Sequence, residues 1–468
     1  MPAARLVTIG QAGENQVGFA LISCEYNRQA GRGGAGAVMG SKRLKAVAIS
    51  GSRLVTVNDR SAFAAACDAA NADIQASGEC TALTDSGTSN AVPWSNAVGT
   101  LPYRSFSDQV YDKADRLGDE GQRKHLFLGK AACFGCPIRC SQMGAVRTGK
   151  YAHTISDIVE YESAALMGSN LDIHDVRAVA HLVKLCDAYG LDSMSAGGVI
   201  GFAFEAVQRG LITPPEGVKL DFGSVAGAEY LIHAIACQDS QLGRLLGRGV
   251  KNAAARLGGG AEGIALHVKG LEMPGWAPRG LPGMGLAYMT ADRGACHQRG
   301  FMVAYEVGGK PYQGQPVDNY GLVLKAEILK KEQDYLAGLD ALVKCDFGAF
   351  GISAQSYASM LQAATGRSVD AGFFGLLGER IWNQTRLFNL REGLTAAQDR
   401  LPRRIVAEPL PGGPHKGRRI GEADMAFMLK DYYRQRGWDE KGRPTREKRS
   451  ALGLDNGPRF DCADAPAA

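Results

Sequence analysis

Three thiols fall within one short stretch, Cys133-Phe134-Gly135-Cys136-Pro137-Ile138-Arg139-Cys140. Thiolates are soft ligands that suit iron–sulfur clusters and zinc. Gly135 and Pro137 hold the backbone in a tight loop, so neighbouring sulfurs can converge on one object instead of pointing around a helix. The spacing is two residues and then three, which lacks the two-two-three run of bacterial ferredoxins. A cluster held here needs a fourth ligand from elsewhere, and a zinc knuckle or a group of buried cysteines fits the same spacing.

Other stretches also carry groups able to do chemistry. Between Gly31 and Lys42, glycines leave amide N–H groups open while Arg32 and Lys42 add positive charge, which suits a phosphate-bearing anion or simply makes a flexible turn. Glu160 and Glu162 open a helical stretch, where carboxylates also suit the helix dipole. Asp187 and Asp192 bracket a joint between two helices; either Asp192 and Ser193 simply cap the second helix, or Asp187 and Asp192 aim carboxylates at the N–H donors of a heterocycle such as a pterin. His297 follows Cys296, a pair open to zinc, to Cys–His nucleophilic chemistry or to a satisfied core histidine. Asp340 and Cys345 repeat the spacing of Asp187 and Asp192, so a second helix-end site related by pseudo-symmetry is expected, with Cys345 as the fourth thiolate.

The elements that must position these groups change along the chain. Arg5–Gly10 alternates like a strand and Leu44–Ile49 is β-rich; with only a glycine loop between them they leave sheet edges unpaired, so the chain reads as starting partway through a β domain. Helical patterns take over near Ser61, and the Ser-, Thr-, Gly- and Asn-rich segment Thr81–Asp108 reads as a surface connection. Helices are expected over 175–189 and 195–209, closed by Gly190 and Gly210. A helical region to Arg256, a strand over 263–268 and a Pro- and Gly-rich loop over 270–280 follow, then a helix over 326–345. The 378–393 stretch predicts an amphipathic helix with Trp382, Leu387, Phe388 and Leu390 in the core and its arginines on a solvated face. A short helix lies in the tail, 424–454. The fold class is α+β, predominantly α-helical: a partial N-terminal β domain over 1–58, a helical domain over 59–267 and a second helical domain over 268–468.

Bulk composition excludes several classes. The 468 residues carry 53 basic and 48 acidic side chains, and no basic run is interleaved with aromatics, so no nucleic-acid partner is expected. Eleven cysteines are too sparse for a disulfide scaffold. Reduced thiols, an N-terminus without a long apolar segment and the lack of any membrane-length apolar run together predict a cytoplasmic protein.

Taken in order, the motifs resemble one family, the aldehyde ferredoxin oxidoreductases, tungsten or molybdenum enzymes with a bis-pyranopterin cofactor. The resemblance runs from Gly10 to about Leu454. It is carried by Gly10-Gln11-Ala12-Gly13-Glu14-Asn15, the glycine loop, the cysteine loop, Glu160-Tyr161-Glu162 and Asp187–Asp192, then by Arg293-Gly294-Ala295-Cys296-His297, Gly378–Gly393 and Arg436-Gly437-Trp438-Asp439-Glu440. It implies that Cys133, Cys136, Cys140 and Cys345 bind a [4Fe-4S] cluster beside one pterin. Asp187, Gly190, Leu191 and Asp192 match one pterin motif and Asp340 opens the second. Arg32, Gly33 and Gly34 would lie near the cofactor phosphates, with Mg2+ bridging them. Glu162 and His297 match an acid/base pair near the metal, with Glu160 as a substitute for Glu162.

The activity so implied is oxidation of a small-molecule aldehyde to a carboxylic acid, with electrons passed to ferredoxin or an iron–sulfur subunit; homodimers occur in the family. Val343-Lys344 departs from the Gly-Leu that the family places before its second-motif cysteine. Most of the family's N-terminal β domain is also expected to be missing. Two alternatives follow: a non-catalytic iron–sulfur electron-transfer or interaction subunit, and a same-superfamily reductase for another acyl or aromatic substrate.

Overall fold

The computed structural model describes residues 4–25 and 28–455; the outermost residues of the first and third expected domains lie outside that range. Strands β1 (Arg5–Thr8), β2 (Ile22–Cys24), β3 (Arg28–Ala30) and β4 (Ala46–Ile49) form one antiparallel sheet in the order β3-β2-β1-β4. Arg5 pairs with Ile49 and Thr8 with Ala46, so the two strands legible in the sequence are neighbours. Every residue of the edge strand β4 is exposed.

The glycine stretch is a loop only at its start. A short helix α1 (Gln11–Glu14) packs on a second, α2 (Ala35–Ser41), because Gly36 and Gly40 lie against the backbone of Leu21 and Gly13, where any side chain would collide. Thr81–Asp108 also departs from expectation. Helices form at Gly78–Ser86 and Ala91–Ala97, and Val92, Ser95, Leu101 and Phe106 are buried. Its small hydroxyls are compatible with burial because they bond backbone carbonyls: Thr84 donates to Ile138 O at 2.6 Å and Ser95 to Val92 O at 2.9 Å.

A second antiparallel sheet, β5 (Phe127–Ala131), β6 (Ser141–Ala145) and β7 (Ile155–Asp157), was not legible in the sequence; the cysteine loop is the connection between β5 and β6. Next come α3 (Val176–Tyr189) and α4 (Ser193–Gln208), within two residues of their expected ends. From Ser195 to Ala206 every residue of α4 except Gly198 is buried, and α5 (Pro282–Thr290) is buried at every residue. Helices apolar all round belong to a core interior. Glu306 anchors the start of α5, accepting from Gly283 N at 2.8 Å and Met284 N at 2.9 Å, and pairs with Lys325 at 2.8 Å.

Helix α6 (Lys325–Asp340) packs against α7 (Phe373–Arg391), with Gly338 and Gly378 at the points where the backbones meet. The expected solvated face of α7 is wrong at Arg386, which is buried and pairs with Asp399 at 2.8 Å; Phe388, expected in the core, is exposed. A buried guanidinium needs a carboxylate partner, and only the fold brings Asp399 there. The tail helix α8 (Glu422–Arg436) is longer than expected and ends in a buried Arg436 paired with Asp334.

Candidate active site and cofactor cradle

The turn after α3 is stitched to the N-terminal segment. Gly190 ends the helix in the left-handed region, φ +77°, and a Cβ there would sit 2.8 Å from Gly10 N and 3.0 Å from Gly10 Cα. Leu21 N donates to Gly190 O at 2.9 Å, and Asp192 N to Phe19 O at 3.0 Å. The Asp192 carboxylate caps α4, accepting from Met194 N at 3.1 Å and Ser195 N at 3.3 Å, and receives Arg32 Nε at 3.4 Å. Asp187 accepts from Gln29 Nε2 at 2.9 Å. Its carboxyl is pushed up to about 6, chiefly by burial, with Lys184 and Arg28 opposing and Asp157 adding to the rise.

Arg32 reaches further inside than a surface phosphate contact. Its Nη1 donates to Ala295 O at 2.8 Å and its Nη2 to Glu272 O at 2.5 Å, so one side chain ties the glycine loop to both halves of the molecule. Gly33 and Gly34 divide two tasks. Gly34, φ +75°, lies where a Cβ would be 2.5 Å from Gly18 O, whereas Gly33, φ +97°, is exposed with nothing within 4 Å of a Cβ and is open to a ligand.

Glu162 and His297 come from distant segments and meet. Glu162 lies in the helical turn Tyr161–Ser163, which widens into a π turn over Ala164–Gly168. Its Oε2 accepts from Gly275 N at 2.7 Å, and its Oε1 is 3.3 Å from His297 Nδ1. The two atoms are close but not aligned, so neither Oε1 nor Nδ1 has a hydrogen-bond partner among the described residues. Burial pushes the Glu162 carboxyl up to about 7, against the pull of the Gly275 N–H and Arg32 and with a push from Asp192. Burial, then Arg32 and Arg293, push His297 down to about 3. The imidazole is therefore neutral and the carboxyl is poised near neutrality. Glu160 turns the other way: half-exposed, it meets Arg28 at 3.4 Å beside the cysteine loop.

An aromatic wall stands beside this pair. Tyr161 stacks on Trp276 with ring centroids 4.2 Å apart, and Phe301 meets Trp276 edge-on at 5.1 Å. The Tyr161 hydroxyl donates to Gly275 O at 2.6 Å and that of Tyr288 to Trp276 O at 2.7 Å, so the backbone that supplies Glu162 with its N–H is clamped from both sides.

Cys136 and Cys140 are half-buried, whereas Cys133 and Cys345 are exposed. Gly135 and Arg139 take positive φ in the first loop, and Val343, φ +55°, does so before Cys345. Cys136 and Cys140, together with Phe347 and Ile352 just past Cys345, all pack against one small core of Ile74, Cys80, Leu83 and Ile138, which brings the two loops together. The Cys140 thiol is pushed up to about 12 by burial first, then by Glu160, Cys345 and Cys136, with Arg28 opposing; Arg28 also acts on Cys133. Among the described residues no three His, Cys, Asp or Glu side chains converge on a single metal ion. Cys133, Cys136, Cys140 and Cys345, on two adjoining loops, are the thiols there that could hold a metal centre. Asp340 receives Arg299 Nη1 at 2.6 Å.

Arg28 was missed by the sequence reading. It pairs with Asp157 and Glu160 and donates to Ser141 Oγ at 2.8 Å, all at the foot of the cysteine loop. A single arginine near a strand start carries no local signal of such a role. Tyr161 and Trp276 were missed likewise, since nothing in their spacing brings them together.

Comparison with known proteins decides the family. The family model described as aldehyde ferredoxin oxidoreductase, domains 2 & 3, matches residues 65–454, and that of the N-terminal domain matches residues 2–51. The chain belongs to the aldehyde ferredoxin oxidoreductase family. Members of this family are oxidoreductases, and the chain is similar to the tungsten-containing aldehyde ferredoxin oxidoreductase of Thermococcus kodakarensis, 37% identical over 96% of this chain and 73% of the relative. That of Pyrococcus furiosus is 36% identical with the same coverage. A more distant relative is an aliphatic sulfonate oxidoreductase, WOR-like subunit, of Pyrococcus furiosus, 28% identical over 97% of this chain and 71% of the relative. The active-site complex BamBC of benzoyl coenzyme A reductase shares the fold, with a TM-score of 0.75 at 21% identity over 97% of this chain and 74% of that one. The expectation of an α+β, mainly helical member of this family holds. No helix among the described residues is long and apolar enough to cross a membrane.

Proposed function

We propose that this chain oxidises an aldehyde to the carboxylic acid, aldehyde and water giving acid with release of two electrons and two protons. The observation that carries the reading is the Glu162–His297 pair: two mostly buried groups 3.3 Å apart with facing atoms unpartnered by protein. On this reading Cys133, Cys136, Cys140 and Cys345 hold a [4Fe-4S] cluster. Asp187, Gly190, Leu191, Asp192 and Asp340 hold a tungsten or molybdenum bis-pyranopterin, and Arg32, Gly33 and Gly34 lie toward its phosphates and a bridging Mg2+. When bound, the pterin metal supplies the two-electron redox change and the cluster supplies one-electron transfer toward ferredoxin or an iron–sulfur subunit.

The protein's own groups move the protons and orient the substrate. Above about pH 7 Glu162 is a carboxylate able to take a proton from water or from the hydrated aldehyde. Gly275 N–H fixes Oε2 and leaves Oε1 for that task. A proton gained on Oε1 faces His297 Nδ1, which leaves the ring's own proton on Nε2 to donate to the substrate oxygen and stabilise developing negative charge. A neutral imidazole suits this role. A cytoplasmic setting and the three-part division at residues 58 and 267 go with this reading.

The test is anaerobic expression, with tungsten, molybdenum, iron and pterin measured beside aldehyde oxidation. Glu162→Gln is expected to lower kcat by about 10²–10⁴-fold and His297→Asn by about 10²–10³-fold. Unaltered oxidation in either variant would remove that residue's role. About four irons per chain without tungsten or molybdenum would favour a non-catalytic electron-transfer subunit; zinc alone would defeat both readings.

A further inference from the structure

Two neighbours in the chain, Tyr161 and Glu162, grip one distant residue by both of its backbone groups. The Tyr161 hydroxyl donates to Gly275 O at 2.6 Å, and Gly275 N donates to Glu162 Oε2 at 2.7 Å. Tyr161 is 3% exposed and Gly275 is buried, so both bonds are made away from solvent. A Cβ on Gly275 would lie 2.8 Å from Ala165 Cβ and 3.1 Å from Glu162 Oε2, which keeps this position a glycine. Glycine has the freest backbone of any residue, so its orientation depends on the groups that bond it.

The loop around Gly275 is tied down at its flanks. Met273 N donates to Leu266 O at 3.1 Å, the Tyr288 hydroxyl to Trp276 O at 2.7 Å and Ala277 N to Thr100 O at 2.8 Å. Between these ties stands Pro274, which has no N–H to give. The hold on Gly275 therefore falls to Tyr161 at its carbonyl and Glu162 at its N–H. The Tyr161 ring has a separate contact, its stack on Trp276 at 4.2 Å, which a phenylalanine would keep.

We propose that Tyr161 is a positioning residue whose hydroxyl, by holding the Gly275 carbonyl, keeps the Gly275 N–H on Glu162 and so sets the proton affinity of that base. This deepens the reading of Glu162 as the group that takes a proton, and rests on it. A carboxylate that loses an N–H donor is disfavoured against its acid, so freeing Gly275 raises the pH at which Glu162 ionises. The other groups facing Glu162 are the neutral His297, with Arg293 behind it, Arg32, which favours the carboxylate, and Asp192, which opposes it. Burial first, and then Glu162, hold the Tyr161 and Tyr288 phenols well above their usual range, so both remain donors while Glu162 titrates. Tyr161→Phe changes none of these charges.

The experiment uses the full chain, expressed anaerobically, as wild type, Tyr161→Phe, Tyr161→Leu and Glu162→Gln. Infrared difference titration follows the protonated-carboxyl band that Glu162→Gln lacks and gives its ionisation midpoint without turnover. The pH profiles of kcat and KM, with acetaldehyde as substrate and a viologen dye as acceptor, give the acid limb in turnover. In Tyr161→Phe both the midpoint and the acid limb are expected to move up by about 0.5–1 pH unit, with KM changed by less than about twofold. Tyr161→Leu should move at least as far. An unmoved midpoint in Tyr161→Phe would overturn the proposal, and a move in Tyr161→Leu alone would assign the effect to the ring and overturn it as well. Equal loss of kcat at every pH without a shifted limb, or a Tyr161→Phe chain that does not fold, would make the hydroxyl a support of the loop and nothing more. A chain whose infrared midpoint moves as expected but which oxidises no aldehyde would sink the proposed activity and leave the hold on Glu162 standing.

Discussion

At the end of α3, Asp187 and Asp192 bracket a turn whose Gly190 abuts Gly10 and whose Leu191 is fully buried. At the end of α6, Asp340 and Cys345 bracket a turn of the same length whose Val343 is 94% exposed. One spacing thus serves two opposite situations. The first turn is buried at Gly190 and Leu191, and its left-handed residue is a glycine because a side chain would strike backbone. The second is open, and it places a β-branched residue at φ +55°, where such residues are rare and strained by about 1–2 kcal/mol. Strain of this kind persists where surrounding structure or a ligand enforces it. The difference teaches that helix-end spacing marks a turn, while the surroundings decide whether that turn is scaffold or rim.

The sharpest way to break this contrast is Gly190→Ala. The backbone conflict with Gly10 and the left-handed φ together are expected to cost about 3–4 kcal/mol in urea unfolding, and wild-type stability would mean the first turn is not closed as described. Next in size is an opposition of pH slopes between the halves. Glu162, raised from its ordinary 4.5 to about 7, contributes stability that is full below 4.5 and lost as pH rises through 7. His297, depressed from 6.5 to about 3, contributes stability that is full above 6.5 and lost as pH falls through 3. Glu162→Gln should therefore gain on wild type at pH 8, and His297→Gln at pH 4, each on the order of 2–3 kcal/mol; gains on the same side of neutrality would contradict the opposite burial effects.

Asp192→Ala removes a cap and leaves Arg32 without its carboxylate, for an expected loss of about 2 kcal/mol. Asp340→Ala, whose partner Arg299 is partly exposed, should lose under about 1 kcal/mol. Equal losses would show that the two turns are built alike after all. The smallest expected effect has the opposite sign. Val343→Gly relieves the left-handed strain and should stabilise by about 0.5–1 kcal/mol, with thermal unfolding as the measure.

What could be read from sequence was what spacing and local chemistry decide. The caps at Asp192 and Gly190, the ends of α3 and α4 and the existence of β1 and β4 as strands all depend on neighbours in the chain. What could not be read depends on the meeting of distant segments. Arg386 looked solvated until Asp399 arrived beside it, Thr81–Asp108 looked exposed because its hydroxyls find backbone carbonyls only in the fold, and Arg28 joins the cysteine loop through a sheet that no periodicity announced. Even the choice between Glu160 and Glu162 as the group facing His297 comes from which way the turn at Tyr161 points. Each case is a polar group whose partner lies far off in sequence, where hydrophobic patterning is silent.

The complete burial of α5 gives the molecule an internal clock. Amides that no solvent can reach exchange their hydrogens only when the whole core opens, so the amides of α5 should report global unfolding, and those of the exposed strand β4 only local fraying. Deuterium uptake compared at these two places would therefore separate a ligand that steadies the entire fold from one that merely settles its rim.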